Sequence, residues 1–80
     1  MIIKILGSGC KKCVALADNA KAATQAEGID AEIQKVTDIV AIAGYGIIAT
    51  PGLVIDEKVV SSGRVLNASD ISKFLREARQ

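Results

Sequence analysis

The chain has 80 residues, with ten basic and nine acidic side chains, two cysteines and no histidine. This length predicts a single domain spanning residues 1–80, because most domains contain at least about 50 residues. A net charge of +1, with one tyrosine and one phenylalanine as the only aromatic residues, argues against nucleic-acid binding, which favours a basic surface. The lack of histidine excludes every mechanism and metal site that needs an imidazole.

The apolar segments are short. The run that begins at Met1 ends at Gly7, which is too short for the apolar region of a signal peptide. No segment approaches the roughly 20 apolar residues that cross a bilayer. We therefore expect a cytoplasmic protein without a membrane partner. Structural disulfides are rare in that compartment, so a cysteine pair is expected to be redox-active or metal-binding.

The first half of the chain predicts a β–α–β unit. Residues 2–6 form an apolar, β-branched run typical of a buried strand. Residues 11–27 contain no glycine or proline and much alanine, which favours a helix, and Gly28 is expected to cap its end. Residues 29–36 predict a second strand, parallel to the first, with a polar face typical of a sheet edge. The helical spacing predicts a buried face made of Cys13, Leu16, Ala17, Ala20 and Ala23 or Thr24.

The second half predicts a short helix, a hairpin and a final helix. Thr37 or Asp38 is expected to cap a helix over residues 39–43, closed by Gly44 or Gly46. Strands over 53–55 and 58–61 would be joined by a tight turn at Asp56-Glu57. Asn67 is expected to cap the last helix, whose apolar stripe contains Ile71, Phe74, Leu75 and Ala78. The sequence thus predicts an α/β fold of order βαβαββα, with a mixed four-stranded sheet and helices for both faces.

Cys10-Lys11-Lys12-Cys13 joins the first loop to the first helix. Two intervening residues allow the two sulfurs to meet across one helical turn, and closing so short a loop adds little stability, which favours a redox role. The helix N-terminus and the two lysines stabilise a thiolate, so we expect the pKa of the Cys10 thiol to lie below its ordinary value. Cys10 would then attack a disulfide, and the less exposed Cys13 would resolve the intermediate.

Other interpretations of these features stay open at this point. The cysteines could be half of a zinc site, although zinc needs four ligands and the chain offers no third cysteine, or they could be two small apolar side chains. No resident metal and no cofactor is predicted. The single proline, Pro51, follows Thr50, and the sequence alone favours an ordinary trans proline at the start of a strand.

The chain resembles the thioredoxin superfamily, and within it the small glutaredoxin-like, redox-active disulfide proteins of archaea and bacteria. The matching segments are residues 7–13, 46–55 and 58–64, which occur in the family's order. The resemblance implies a thioredoxin-like fold with three helices around the sheet. It also implies a cis Pro51 packed against the cysteines, with the Thr50 backbone pairing with a bound substrate strand. The residues expected to contact the substrate are Gly9, Lys11, Lys12, Thr50, Pro51 and Gly63.

Some positions depart from the family pattern. Gly9 replaces the tryptophan that precedes the thioredoxin motif, and Ser61-Ser62-Gly63 replaces a paired glycine. Thioredoxins carry a buried aspartate six residues before the first cysteine, where this chain has Lys4. The Lys4 side chain either lays its aliphatic part on the sheet and directs its ammonium outward, or tunes the thiols.

The predicted function is that of a thiol–disulfide oxidoreductase. It would reduce protein or small-molecule disulfides and would receive electrons from a separate reductase of the thioredoxin-reductase type, since the chain has no nucleotide motif. One alternative is a Cu(I)-type soft-metal carrier, although such domains run βαββαβ and end in a strand. Another is a redox-regulated binding module with little turnover. The sequence leaves the physiological partner and the oligomeric state open.

Overall fold

The computed structural model describes residues 1–9, 11–47 and 49–79. Seven elements follow one another in the predicted βαβαββα order. They are β1 (Ile2–Leu6), α1 (Lys11–Glu27), β2 (Glu32–Val36), α2 (Ile39–Gly44), β3 (Gly52–Ile55), β4 (Lys58–Ser62) and α3 (Ala68–Arg79).

The four strands form one mixed sheet in the order β2-β1-β3-β4. β1 is parallel to β2 and antiparallel to β3, and β3 is antiparallel to β4. The parallel pairing and the edge position predicted for the second strand are therefore confirmed. This topology places the end of β1, the end of β2 and the start of β3 at the same end of the sheet, where α1 begins.

The second strand starts later than predicted, at Glu32 instead of residue 29. Gly28, with φ of +64°, turns the chain out of α1. The Gly28 amide donates to the Gln25 carbonyl at 3.2 Å, and the Ile29 amide donates to the Thr24 carbonyl at 3.0 Å. These two bonds form a Schellman cap, so Ile29 completes the helix end and cannot join the sheet.

One face of the sheet carries the main core. Ile3, Ile5, Leu53 and Ile55 lie on it and pack against α1 and α3. All six residues predicted for the buried face of α1, from Cys13 to Thr24, are buried. Each fully buried Leu or Ile in such a core contributes about 1.5–3 kcal/mol, so this face supplies most of the stability that holds α1 on the sheet.

The apolar stripe of α3 is shorter than predicted. Ile71 and Leu75 are fully buried, whereas Phe74 is half-buried and Ala78 is exposed. A groove of about 310 Å³ separates the last turn of α3 from β4, and Ala78 lines this groove instead of the core.

The opposite face of the sheet has a smaller core under α2. Leu6 and Val54 pack there against Ile42, with Tyr45 beside them. The Asp38 carboxylate accepts the Val40 amide at 3.3 Å and caps α2 as predicted. Gly46, with φ of +78°, follows the end of the helix.

Lys4 lies on this second face and directs its ammonium toward the hairpin turn. Its Nζ donates to the Tyr45 hydroxyl at 2.9 Å and to Glu57 Oε1, while the Tyr45 hydroxyl donates to Glu57 Oε2 at 3.1 Å. These contacts raise the pKa of Lys4 and lower the pKa of Glu57. The structure thus favours the first alternative for Lys4, an aliphatic stem on the sheet with the charge turned outward.

The contacts among Lys4, Tyr45 and Glu57 should make a pH-dependent contribution to the stability of the fold. A carboxylate with a lowered pKa stabilises the fold above its ordinary pKa, and this stabilisation is lost as the pH falls through the pKa of the folded state. A lysine with a raised pKa stabilises the fold until the pH rises through its pKa in the folded state. We therefore expect Glu57→Gln to lower the urea midpoint at neutral pH, with the difference from the unmodified protein shrinking in acid below about pH 4. The matched control is Glu77→Gln, because Glu77 is exposed and has no ion pair within the described residues. A Glu57→Gln difference that stays constant down to acid pH would show that the charge contributes nothing.

Candidate functional site

Three chain segments meet at the end of β1. Cys13, in the first turn of α1, is only 5% exposed and lies on the predicted buried face of the helix. A Cβ atom on Gly7 would overlap the Cys13 Sγ and would lie 3.7 Å from the Thr50 Cβ. Gly7 therefore allows the start of α1 to approach the strand end, with Thr50 also close by.

The Thr50–Pro51 segment is held against the end of β4. Its peptide bond is cis, in agreement with the expectation from the resemblance, and Pro51 is fully buried. The Pro51 carbonyl accepts the Gly63 amide at 2.8 Å. Gly63 has φ of +72°, and a Cβ atom there would come within 2.9 Å of the Ala49 Cβ. Glycine is thus required both by the backbone and by the close approach.

Thr50 itself faces solvent. It is exposed, and its main-chain N–H and C=O groups make no hydrogen bond to another described residue. An exposed backbone segment of this kind can pair with an added strand. The geometry therefore leaves Thr50 available for the contact that the resemblance implies.

A small hollow adjoins Cys13 on the side of β2. Its volume is about 20 Å³, which is room for roughly one water molecule. Residues from β1, α1 and the end of β2 surround it. The lining residues are Ile5, Gly7, Gly9, Cys13, Val14, Lys35 and Thr37.

Sequence reasoning missed Lys35 and Thr37 at this hollow. Lys35 stands opposite Ile5 in the parallel β1–β2 register, so the two side chains share the sheet face that α1 covers. The predicted strand and its parallel pairing located the end of β2 near the motif. They could not assign the face of each residue, because that depends on the register.

The residues predicted to contact substrate are distributed around this point. Gly9 lines the hollow, Lys11 and Lys12 are exposed in the first turn of α1, and Gly63 lies beside the Thr50–Pro51 segment through the contacts above. Cys10 lies outside the described residues, so its contact with Pro51 and its role stay predictions, as does any contact between Pro51 and Cys13.

Metal-binding clusters and membrane-spanning helices are both lacking in the described part of the chain. No group of three or more Cys, Asp or Glu residues there could hold a metal ion. No helix there is long and apolar enough to span a bilayer.

Comparison with known proteins agrees with the fold. A family model described as a thioredoxin domain matches residues 1–76. A thioredoxin of Methanocaldococcus jannaschii is 40% identical over 76 residues, which cover 95% of this chain and 87% of that protein. A thioredoxin of Methanothermobacter thermautotrophicus is 40% identical over 75 residues, which cover 94% of this chain and 97% of that protein. The chain therefore belongs to the thioredoxin superfamily and is a thioredoxin-like redox protein.

Proposed function

We propose that the protein reduces disulfides with a dithiol formed by Cys10 and Cys13. The observation that carries the proposal is the position of Cys13, buried in the first turn of α1 beside Gly7 and Thr50. A resolving thiol needs such protection, since it must react with the neighbouring cysteine and not with solvent species. Cys10 directly precedes α1 in the chain, at the helix end that stabilises a thiolate.

The proposed cycle has two thiol–disulfide exchanges. The Cys10 thiolate attacks one sulfur of the substrate disulfide, forms a mixed disulfide and expels the other sulfur as a thiolate. Cys13 loses its proton and attacks the Cys10 sulfur, which releases the second substrate thiolate. Two electrons have then passed to the substrate, and a Cys10–Cys13 disulfide remains. A separate reductase of the thioredoxin-reductase type returns two electrons to it, and a reducing compartment such as the cytoplasm suits this cycle.

Substrate would bind across the exposed surface around the dithiol. A hollow of about 20 Å³ cannot enclose a ligand larger than roughly a water molecule. An extended substrate segment can instead pair with the Thr50 backbone, with Gly9, Lys11, Lys12 and Gly63 around it and Pro51 beneath. Protein disulfides suit such an open site better than small ligands that need a deep pocket.

The soft-metal carrier is the weaker alternative. Its expected element order βαββαβ differs from the observed order, which ends in α3. The binding module with little turnover has the same fold as the proposed enzyme, and only an activity measurement separates the two.

The decisive test couples disulfide reduction to NADPH oxidation. Purified protein is assayed with thioredoxin reductase and, separately, with glutathione and glutathione reductase, using insulin as the disulfide substrate. We expect NADPH oxidation that requires the protein and that occurs with thioredoxin reductase as the electron donor. Pre-reduced protein that fails to reduce any disulfide in a single turnover would contradict the proposed function and favour the binding module.

A further inference from the structure

We infer that the protein selects disulfide-containing protein segments that carry acidic residues beside their cysteines. This inference rests on the proposed function and specifies its substrate class. The net charge of +1 conceals an uneven distribution of charged residues.

The two ends of the sheet differ in charge. Asp30, Glu32, Asp56 and Glu57 lie at the end where β1 begins, together with Lys58 and with the Lys4 ammonium that contacts Glu57, as the strand bounds and the Ile2 contacts of Asp56 show. The end that holds Cys13 carries Lys11, Lys12 and Lys35, with Asp38 as the nearby carboxylate in the chain. Asp38 caps α2. Arg64 follows β4 at the same end, but its side chain lines a groove beside α3.

No salt bridge within the described residues accounts for the position of the three lysines, and the thiolate stabilisation expected of Lys11 and Lys12 leaves Lys35 without an assigned role. All three are exposed, and none forms an ion pair with another residue of the described ranges. Lys11 and Lys12 occupy the first turn of α1, which has no acidic residue. A helix N-terminus is stabilised by acidic residues and destabilised by basic ones. Lysines in this turn lower the stability of the helix, and residues that lower stability without a structural gain point to a functional role.

The position of Lys35 favours an extended peptide segment as the substrate that binds here. Lys35 lies on β2 and Thr50 precedes β3, so the two flank the end of β1 where Gly7 meets Cys13. A segment that pairs with the Thr50 backbone and crosses Cys13 continues toward Lys35. Acidic side chains on that segment would then face lysines that form no ion pair within the described residues.

The test compares three peptides that each contain one intramolecular disulfide. They are identical except for flanking residues, which are glutamate, glutamine or lysine. Chemically pre-reduced protein, freed of reductant, is mixed with each peptide, and peptide reduction is followed by chromatography at several salt concentrations. We expect the glutamate peptide to react about tenfold faster than the lysine peptide at low salt, with the ratio falling as salt shortens the Debye length to about 10 Å at 0.1 M.

A matched pair of variants locates the effect. Lys35→Gln should reduce the rate for the glutamate peptide by roughly two- to fivefold more than the rate for the glutamine peptide, because the lost charge acts on the charged flanking residues. Lys58→Gln removes the same charge from an exposed position at the opposite end of the sheet and should change neither rate.

The outcomes separate this inference from the proposed function. No reduction of any peptide would contradict the proposed function itself. Equal rates for the three peptides, or equal effects of Lys35→Gln and Lys58→Gln, would overturn the acidic-segment inference alone. The acidic-segment inference is also overturned if the protein reduces glutathione disulfide faster than every peptide and loses that advantage in Lys35→Gln. A small anionic disulfide would then be the preferred substrate.

Discussion

Replacing Cys10 by serine is expected to abolish disulfide reduction, whereas replacing Cys13 by serine should stop the reaction at a covalent intermediate. A serine hydroxyl at position 10 cannot form the thiolate that attacks the substrate, so single-turnover rates should fall by about three orders of magnitude or more. In Cys13→Ser the first attack remains possible, but the buried residue that releases the substrate is lost. Mass spectrometry of each variant mixed with a disulfide peptide measures the difference.

The two variants serve as controls for each other because they make the same chemical change three residues apart. The expected adduct is one peptide per chain, attached at Cys10 and removed by dithiothreitol. A stable adduct at Cys13 in Cys10→Ser would reverse the assigned roles. Full turnover by Cys13→Ser would show that the second thiol of the substrate, and not Cys13, resolves the intermediate.

The helices and strands were predicted well where local sequence decides them. α1 has the predicted bounds because residues 11–27 offer no break and Gly28 caps the end. The second strand was predicted too long because the apolar Ile29 resembles a strand residue, while a hydrogen bond to Thr24 commits it to the helix cap. Ala78 was predicted to be buried from its spacing, but burial also needs a close partner, and a groove separates the last turn of α3 from β4 at that point.

The candidate site was predicted only where a motif or a resemblance marks it. The Cys-x-x-Cys spacing indicated Cys13, and the resemblance indicated Thr50, Pro51 and Gly63. Lys35 has no motif, and its position at the hollow follows from the β1–β2 register. The register arises from packing of the whole sheet, so a single-sequence pattern does not encode it in a readable way.

Lys4 shows how a departure from a family pattern is accommodated. A lysine in the central part of a sheet would be costly without a partner for its charge. Here Tyr45 and Glu57 provide hydrogen bonds, and Glu57 supplies the opposite charge. Both partners lie far from Lys4 in sequence, so local patterns could not predict this arrangement. Because the pKa of Lys4 is raised, its ammonium keeps its proton at neutral pH and cannot accept one from a thiol.

Replacing Gly7 by alanine is expected to destabilise the protein and to displace Cys13. The added Cβ would overlap the Cys13 Sγ, and Cys13 is nearly fully buried, so the start of α1 must move to make room. Such overpacking costs about 1–3 kcal/mol. Urea unfolding of the reduced protein measures the loss, and the alkylation rate of Cys13, followed by peptide mapping, should rise because its cover is disturbed.

Two further variants show whether the sulfur is the cause. Gly44→Ala makes the same substitution at an exposed helix position where the Cβ meets nothing within 4 Å, and alanine there should stabilise by up to about 1 kcal/mol. In a Cys13→Ala background the Sγ is absent, so Gly7→Ala should cost much less than it does beside Cys13. This non-additivity is the expected sign of direct contact. Equal costs in the two backgrounds would mean that Gly7 is required by the backbone and not by its approach to Cys13.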